Sequence, residues 1–468
     1  MTLLARLRPA ACVVLLLHGA AAFAAALEDE PRWWKGNTHT HSWWSDGDAP
    51  PELVALWYAE HGYDFLVFSE HNVMARGETW YPIDGPRWSA ERARAIRQSY
   101  TRYREVFGDH WVVDRIVDGR TEVRLKPLEE FAPLFESAGS FLLIPGEEIT
   151  AKYLEHPVHM NGVNLAELVQ PRFGESIGET IQSNLDAVRS QEAAWGRPML
   201  LHVNHPNFHL AMQPEDFFYL DHEAGEGFFE MYNGHPAVGV NGDAAHLGTE
   251  RMWDVILSWR LGRLGRSVLY GVAVDDAHEY TAWGVGETNP GRGWVMVRAR
   301  RLTPDSITAA LKAGDFYNST GVTLRELDFG EDVLRLAVEP EEGVSYRIEF
   351  VGTRRGAPLD GRVERVRLEA LASGPAPSLP ARDLLRKGVR EHEVVRYPEE
   401  IGTVFARVEG PEAEYRLRGD EVYVRARVVS DRLHPNPHEE GDVEMAWTQP
   451  LVPDAVDAPV LSVRPNAP

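Results

Sequence analysis

Six short segments of the chain carry histidine and carboxylate side chains at spacings typical of metal ligands. They are Asn37-Thr38-His39-Thr40-His41-Ser42 with the following Ser45-Asp46-Gly47, Ser69-Glu70-His71-Asn72, Gly146-Glu147-Glu148-Ile149, His159-Met160-Asn161-Gly162, Asn204-His205-Pro206 and Asp276-Ala277-His278. Neutral imidazole and carboxylate are ligands for divalent metals of hard and borderline character. One such segment is weak evidence, but the ordered set predicts a site that holds several metal ions.

Metal ions a few ångströms apart would supply hydrolytic chemistry. Such ions lower the pKa of a shared water, polarise the oxygen of the bond under attack and stabilise the departing oxygen. A metal-bound hydroxide is then the nucleophile, so the predicted reaction requires neither serine nor cysteine. The one cysteine, Cys12, lies close to the N-terminus, and any metal site must therefore consist of His, Asp and Glu.

The elements that must position these residues alternate between strand and helix over residues 33–322. Continuous apolar runs at 64–68, 141–144, 199–201 and 268–274 each precede one of the ligand segments, and 227–233 is a similar run. Such runs are typical of strands that are covered on both faces. Alternation with helices at about 51–58, 251–261 and 303–314 predicts an α/β fold with a parallel sheet, closed or open. Chemistry gathers at the C-terminal ends of the strands in a parallel barrel.

Two further regions differ from this pattern. Residues 76–138 are predicted to be an insertion, with a polar helix, a hairpin around Asp118-Gly119 and a short helix, which either shapes substrate access or decorates the surface. Residues 323–468 alternate apolar and polar side chains, as expected for a small antiparallel β domain. We find no chemical motif there and expect His434 and His438 to lie at the surface.

The N-terminus and the net charge limit location and partners. Residues 1–26 have the positive start, short apolar core and alanine-rich end of a cleaved signal peptide, which predicts an exported protein, periplasmic or secreted, without a stable membrane anchor. The formal net charge of −23 argues against long nucleic acid as a partner. Small anionic substrates stay compatible with that charge, because bound cations dominate the field around them.

With these motifs in place, residues 33–322 resemble the PHP (polymerase and histidinol phosphatase) superfamily of metal-dependent hydrolases. Segment 36–42 with Ser45-Asp46-Gly47 is most similar to the CehA/McbA-like branch, and the similarity extends to residues 314–321 and to Trp447-Thr448-Gln449-Pro450. The resemblance implies a distorted (β/α)7 TIM-like barrel, the PHP fold, over residues 27–322, followed by the C-terminal antiparallel β domain. It also implies two or three divalent metal ions, with Zn, Mn and Fe as the candidates.

The resemblance implies nine metal ligands in three groups: His39, His41, Glu148 and Asp276 for one metal, Glu148 as a bridge with His159 and His205 for a second, and Asp46, His71 and His278 for a third. Glu148, Asp276 and His278 are also the predicted catalytic residues. Three neighbours compete for these positions, namely Glu147 with Glu148, His156 with His159 and His202 with His205. Glu70 stands where many members have Asp, and we expect it to affect ligand orientation rather than metal number.

The same resemblance favours phosphoester hydrolysis of a small molecule. Lys152, Arg292 and Asn233 are candidate substrate-binding residues. Hydrolysis of a carbamate, an amide or a carboxylic ester is an alternative for the same nucleophile, since a fold does not choose between these reactions. A protein that binds metal or carbohydrate without turnover is the alternative from another functional class.

Overall fold

The computed structural model describes residues 30–85, 88–136, 139–208, 211–243, 246–369, 385–386, 388 and 390–453. The predicted signal peptide at residues 1–26 lies outside these ranges. Within them, no helix combines the length and the apolar character needed to cross a membrane.

The strands are short and frequent throughout the described chain. They are β1 (Arg32–Asn37), β2 (Phe65–Phe68), β3 (Thr79–Pro82), β4 (Asp114–Val117), β5 (Arg120–Leu125), β6 (Leu142–Tyr153), β7 (His156–Val163), β8 (Leu200–Val203), β9 (Gly227–Asn233), β10 (Tyr270–Val274), β11 (Trp294–Ala299), β12 (Phe316–Ser319), β13 (Leu324–Phe329), β14 (Val333–Val338), β15 (Tyr346–Arg354), β16 (Arg362–Arg367), β17 (Glu391–Arg396), β18 (Thr403–Glu409), β19 (Glu412–Arg416), β20 (Glu421–Leu433) and β21 (Val443–Thr448).

The helices lie mostly between the strands of the first 320 residues. They are α1 (Pro51–Glu60), α2 (Ala90–Phe107), α3 (Leu128–Phe131), α4 (Ile177–Trp195), α5 (Glu215–Phe218), α6 (Thr249–Leu257) and α7 (Pro304–Lys312), with a 3-10 turn at Ala132–Leu134 and a π-helical turn at Ser258–Arg263. Ser89, Ser176 and Thr303 cap α2, α4 and α7 by accepting a hydrogen bond from the third following backbone N–H. The chain therefore begins its long helices where the sequence offers a capping hydroxyl.

The principal sheet is mixed and has 13 strands in the order β10-β9-β8-β7-β6-β2-β1-β11-β12-β21-β20-β15-β18. The pairs β10–β9, β9–β8, β6–β2 and β2–β1 are parallel. Strand β7 runs antiparallel to both β6 and β8, because β6 and β7 form one long hairpin that brings Tyr153 opposite His156. The α/β prediction is confirmed, whereas the sheet is only partly parallel.

The predicted closed barrel is not confirmed, because strand pairing does not link β10 to the far side of the sheet. The side chain of Asn318 in β12 takes the place of a strand ladder there. Its Nδ2 donates to Gly271 O at 2.8 Å, and its Oδ1 accepts from Ala273 N at 2.9 Å. Beyond the strand ends, an isolated parallel bridge joins Thr40 to Ala277. The edges thus approach each other through single contacts.

One face of the principal sheet, called the inner face here, packs an apolar cluster that includes Trp34, Phe65 and Val272 and is covered by Ile307 and Leu311 of α7. Successive side chains of a strand point to opposite faces, so every second residue belongs to the inner face. Three buried acids continue this face beyond core residues of their own strands: Glu148 beyond Ile144, Glu230 beyond Phe228 and Asp276 beyond Val274. The same alternation of side chains between the two faces of a strand therefore places both the apolar core and the polar cluster on the inner face.

The segment at 76–138 forms a separate antiparallel sheet in the order β3-β5-β4, with α2 beside it. Asp118 and Gly119 join β4 to β5 with φ angles of 50° and 74°, as a tight hairpin turn requires. The predicted hairpin is confirmed.

The strands after residue 323 pair antiparallel, as predicted, but several of them extend the principal sheet through β21, β20, β15 and β18. The domain boundary at 322 stays a prediction. The expectation that His434 and His438 lie at the surface is wrong, since both are buried. The loop that carries them folds back onto the segment between β10 and β11, where Asn436 Nδ2 donates to Pro290 O at 3.0 Å.

Candidate metal centre

Backbone hydrogen bonds hold the ligand-bearing segments side by side, with Glu148 and His159 inside β6 and β7 and His39, His205 and Asp276 beyond the ends of their strands. Three of these bonds are Asp276 N–H to His39 O at 3.1 Å, Glu148 N–H to Glu70 O at 2.9 Å and Asn204 N–H to His159 O at 2.9 Å. Because these hydrogen bonds join main-chain atoms, they fix the backbone positions from which the ligand side chains extend. The structure therefore brings together segments that are up to 240 residues apart in the sequence.

The most deeply buried group consists of His39, His41, Glu148 and Asp276, and we call it the inner group. The Nε2 atoms of the two histidines lie 3.1 Å apart. Glu148 Oε2 lies 3.6 and 3.3 Å from these two nitrogens, and Asp276 Oδ1 lies 3.2 and 3.4 Å from them. Ligands about 2.0–2.1 Å from a four-coordinate zinc ion are about 3.3–3.4 Å apart. These five distances have the spacing expected of ligand atoms around one metal ion, so the inner group could hold one.

The buried Oε2 atom of Glu148, which lacks a hydrogen-bond partner among the described residues, also indicates that the inner group is a candidate cation site. Glu148 Oε2 makes no well-formed hydrogen bond within the described ranges, although imidazole nitrogens of His71, His41 and His39 surround it at 2.9, 3.3 and 3.6 Å. An unpaired buried carboxylate oxygen is costly. A cation bound between the carboxylate and the imidazoles would remove that cost.

The other oxygen of Glu148 faces a second pair of histidines, and we call Glu148, His159 and His205 the bridging group. Oε1 lies 3.0 Å from His159 Nδ1 and 3.4 Å from His205 Nε2. Asn204 Nδ2 donates to the same oxygen at 2.9 Å, which fixes the rotation of the carboxylate. Glu148 thus has one oxygen in each group, the arrangement a bridging ligand needs.

A third set, the outer group, contains Asp46, His71 and His278. Asp46 lies 3.5 Å from His71 Nε2 and 3.3 Å from His278 Nε2. His278 Nδ1 donates to the backbone oxygen of Asp276 at 2.9 Å, so its Nε2 has a free lone pair in the neutral ring. The Asp46 side chain is 51 % exposed and that of His71 27 %, against 1 % or less for His39, His41 and Glu148. The outer group is the open side of the centre.

The electrostatics of the inner group favour positive charge between its members. Burial alone lowers the pKa of His39, but Asp276, Glu230 and Glu148 raise it well above its ordinary value. Burial raises the pKa of Glu148, but His71, His159 and His39 lower it well below its ordinary value. Both directions are those expected for carboxylates paired with imidazoles in a buried cluster, where a cation would be favoured.

Two of the predicted ligands have strained backbones. His205 has a φ of 24° and Asp276 a φ of 53°, and residues other than glycine seldom adopt such values. Strain of this kind persists where the surrounding structure imposes it, and it concentrates at functional sites. The strained positions support a functional role for the segments that carry these residues.

Glu230 is the principal residue that the sequence analysis missed. Its Oε1 accepts a hydrogen bond from His39 Nδ1 at 2.6 Å, and its Oε2 accepts from the backbone N–H of His205 at 2.6 Å. Because a carboxylate can only accept, His39 carries a proton on Nδ1, and loss of the other ring proton on metal binding would leave Nε2 as the ligand atom that faces the inner group. The signal was one acid within the otherwise apolar run 227–233.

Asn233, predicted to bind substrate, is buried and supports ligands instead. Its Nδ2 donates to Glu230 Oε2 at 2.8 Å and to Asp276 Oδ2 at 3.1 Å, while its Oδ1 accepts from the backbone N–H of His235. It therefore orients Asp276.

Of the other substrate-binding candidates, Lys152 lies exposed on β6, on the face of that strand that also carries Glu148 and Thr150. Arg292 is fully buried, and its guanidinium donates to the backbone oxygens of Gly234 at 2.8 Å and Gly284 at 2.9 Å. Arg292 therefore holds two loops together rather than presenting its charge to a phosphate.

The competing positions are separated by the structure. Glu147 lies outside the three groups, its Oε2 accepts from Val169 N at 2.8 Å, and burial raises its pKa to about 8. His156 is exposed on the hairpin of β6 and β7. His202 is buried with its Nδ1 3.5 Å from Glu230 Oε1, beside the inner group rather than within it. The carboxylate of Glu70 accepts hydrogen bonds from Ser42 and Ser45, so it shapes the loop that carries Asp46.

A Gly-x-Ser-x-Gly pattern, which in some hydrolases marks a nucleophilic serine, occurs at residues 174–178. Its Ser176 is the N-terminal cap of α4 and accepts a hydrogen bond from Glu179 N at 3.0 Å. The hydroxyl therefore has a structural role at a helix start. Metal-ligand chemistry is the principal chemistry that the described polar cluster offers.

Comparison with known proteins adds little. No family model matches the chain, and no curated protein sequence matches it. Among solved structures, the chain has a distant neighbour in a two-domain protein from Bacteroides vulgatus ATCC 8482 that contains a predicted PHP-like metal-dependent phosphoesterase. The two are 13 % identical, with a TM-score of 0.34 over 90 % of this chain and 96 % of that chain. A likeness at that level establishes neither a shared fold nor a shared activity.

Proposed function

We propose that this protein is an exported metal-dependent phosphoesterase that binds two or three divalent ions of Zn, Mn or Fe. One observation carries the proposal. Glu148 directs one oxygen to His39 and His41 and the other to His159 and His205, so adjacent ligand groups share a carboxylate. Shared carboxylates are typical of sites where two ions clamp both oxygens of a phosphoryl transfer.

The residues of the chain would divide the work as follows. Bound divalent ions would supply the positive charge that activates water near neutral pH and stabilises charge on the phosphoryl oxygens. The inner group would hold its ion among side chains fixed by Glu230 and Asn204. Because Asp46 and His71 are partly exposed, a small phosphoester would reach the centre from the outer group.

Export and the choice of partner belong to the same proposal. The N-terminal pattern of residues 1–26 supports an exported protein, and the net charge of −23 supports a small-molecule substrate over long nucleic acid. Neither property affects the chemistry of the centre.

The test combines metal analysis with a substrate panel. Full-length protein purified without chelator is analysed by plasma emission and assayed with Mn²⁺ or Zn²⁺ on nitrophenyl phosphate, a bis-nitrophenyl phosphodiester, a nitrophenyl carbamate and nitrophenyl acetate. We expect bound metal and turnover of a phosphoester, and we expect His39→Ala and Asp276→Ala to lose both. His110→Ala, at an exposed position in the inserted segment, is the matched control.

Two outcomes would overturn the proposal. Turnover of only the carbamate or the acetate would replace phosphoester hydrolysis with the alternative chemistry of the same centre. Full metal content and activity in His39→Ala would remove the inner group from the mechanism altogether.

A further inference from the structure

His235 lies beside the metal centre in a position that the ligand groups do not use. It follows β9 by two residues, and its ring meets the ring of His278 edge to face at 5.7 Å and that of Phe208 at 5.7 Å. The ring is partly buried. The described residues offer its ring nitrogens no carboxylate partner, in contrast to the six predicted ligand histidines.

The tautomer of the neutral ring is fixed by a backbone contact. Ala237 N–H donates to His235 Nδ1 at 3.1 Å, so Nδ1 is an acceptor and the proton of the neutral ring lies on Nε2. The described residues offer this Nε2–H no hydrogen-bond partner. Nε2 is also not among the fully buried polar atoms, so solvent can reach it. It is therefore an unused donor on a ring that lies beside the centre.

The segment that carries His235 is held rigidly on several sides. Asn233 Oδ1 accepts from His235 N at 2.8 Å, and Gly234 N donates to Val274 O at 3.0 Å. Gly234 O accepts from Arg292 at 2.8 Å and is 3.4 Å from Nδ1 of His438, which comes from the loop between β20 and β21. A donor held in place before the substrate arrives costs no reorganisation during the reaction.

We infer that His235 is a substrate-contacting residue whose Nε2–H donates a hydrogen bond to an oxygen of the phosphoryl group. The inference rests on the proposed function and adds a specific contact to it. Loss of a preorganised donor of this kind lowers kcat by about 100-fold. Because the residue belongs to none of the ligand groups, its loss should leave the metal content unchanged.

Three substitutions at this position separate the donor from the shape of the ring. His235→Phe keeps a flat ring without a donor. His235→Gln can place an amide N–H near the position of Nε2, whereas the shorter side chain of His235→Asn reaches only the position of Nδ1. His110→Ala is again the control, because it removes an exposed histidine that is far from His235 in the sequence.

The experiment measures three quantities on full-length protein loaded with metal: metal content, inorganic phosphate binding by calorimetry, and kcat and KM for nitrophenyl phosphate. We expect unchanged metal content in all variants. In His235→Phe and His235→Asn we expect phosphate to bind about 10-fold more weakly and kcat to fall about 100-fold. His235→Gln should recover part of both losses.

Each other result decides against the inference. Unchanged phosphate affinity in His235→Phe, loss of metal from that variant, equal behaviour of the Gln and Asn variants, or a wild-type protein that binds no phosphate would all overturn it. A wild-type protein that binds phosphate but cleaves no phosphoester refutes the proposed function alone, and phosphate affinity then still tests His235.

Discussion

Replacing Glu230 with glutamine should weaken metal binding although Glu230 touches no metal. The carboxylate accepts from His39 Nδ1 at 2.6 Å, from the backbone N–H of His205 at 2.6 Å and from Asn233 Nδ2 at 2.8 Å. Burial raises the pKa of Glu230, but His39 lowers it below its ordinary value, so the group is ionised. Glutamine keeps the shape and supplies only one accepting oxygen.

The magnitude follows from where the new amide group must point. If the NH₂ faces His39, two donors oppose each other, and His39 can relieve the clash only by moving its proton to Nε2, which then cannot bind metal. If it faces His205 and Asn233, two donors lose their acceptor. A buried donor without a partner costs about 1–3 kcal/mol. Changes behind a metal ligand weaken binding about 10- to 100-fold, or about 1.4–2.7 kcal/mol, in agreement.

The assay is a competition titration of Zn²⁺ against a chelating dye at pH 7.5, with Glu226→Gln as the matched control. Glu226 precedes the same strand but pairs with Arg189 on the surface at 3.2 Å. We expect Glu230→Gln to bind the tightest zinc equivalent at least 10-fold more weakly and the control to match the wild type. An affinity within twofold of the wild type, in a variant with an unchanged circular dichroism spectrum, would refute the role given to Glu230.

Three further predictions follow from the same structure. Glu148→Gln should lose more than half of the bound metal in plasma emission analysis while Glu147→Gln keeps it, and equal losses would contradict the assignment of the bridging carboxylate. Burial, followed by the charge of Arg260, lowers the pKa of His222 to about 4, so the unfolded chain binds the extra proton first. Stability should therefore fall by up to about 3 kcal/mol as the pH drops from about 6.5 to 4; His222→Gln should show a flatter melting temperature over that range, and an equally steep curve would be evidence against this cause. Arg292→Met should lower the melting temperature because buried backbone oxygens lose their donor, and an unchanged melting temperature would argue against a loop-fastening role.

The segments that meet at the centre could be predicted because their signals are local, whereas the assignment of single residues as ligands followed from the resemblance to a family. His39 and His41 are two residues apart, and Asp276 follows an apolar run, which is the local pattern of side chains at strand ends. The turn at Asp118-Gly119 was predictable for the same reason, since its φ angles depend on two residues. Each of these features is decided within a short stretch of chain.

What the sequence did not predict depends on partners far away in the chain. The segment containing His159 returns along β6 as a hairpin, and that arrangement depends on strand pairing. Asn318 bridges the gap between β10 and β12. Nothing in the sequence around Asn318 indicates that its side chain bonds to Gly271, 47 residues away. Burial of His434 and His438 likewise depends on how the loop between β20 and β21 packs against the segments that contain Gly234 and Pro290.

The exposure of the side chains increases from the inner group to the outer group. This difference indicates that the inner group would bind a metal ion firmly and that the outer group would admit the substrate. Closed sites with all ligands buried suit firmly held ions, whereas catalytic sites keep a position open to water or substrate. The inner group is closed, since His39 and His41 are buried and Glu230 fixes the first of them. Asp46 in the outer group is half exposed, and the unused donor of His235 lies beside His278 on that side. A substrate that entered there would meet the open ligands and the free donor together, while the shared carboxylate of Glu148 connects the outer side of the centre to the inner group beneath.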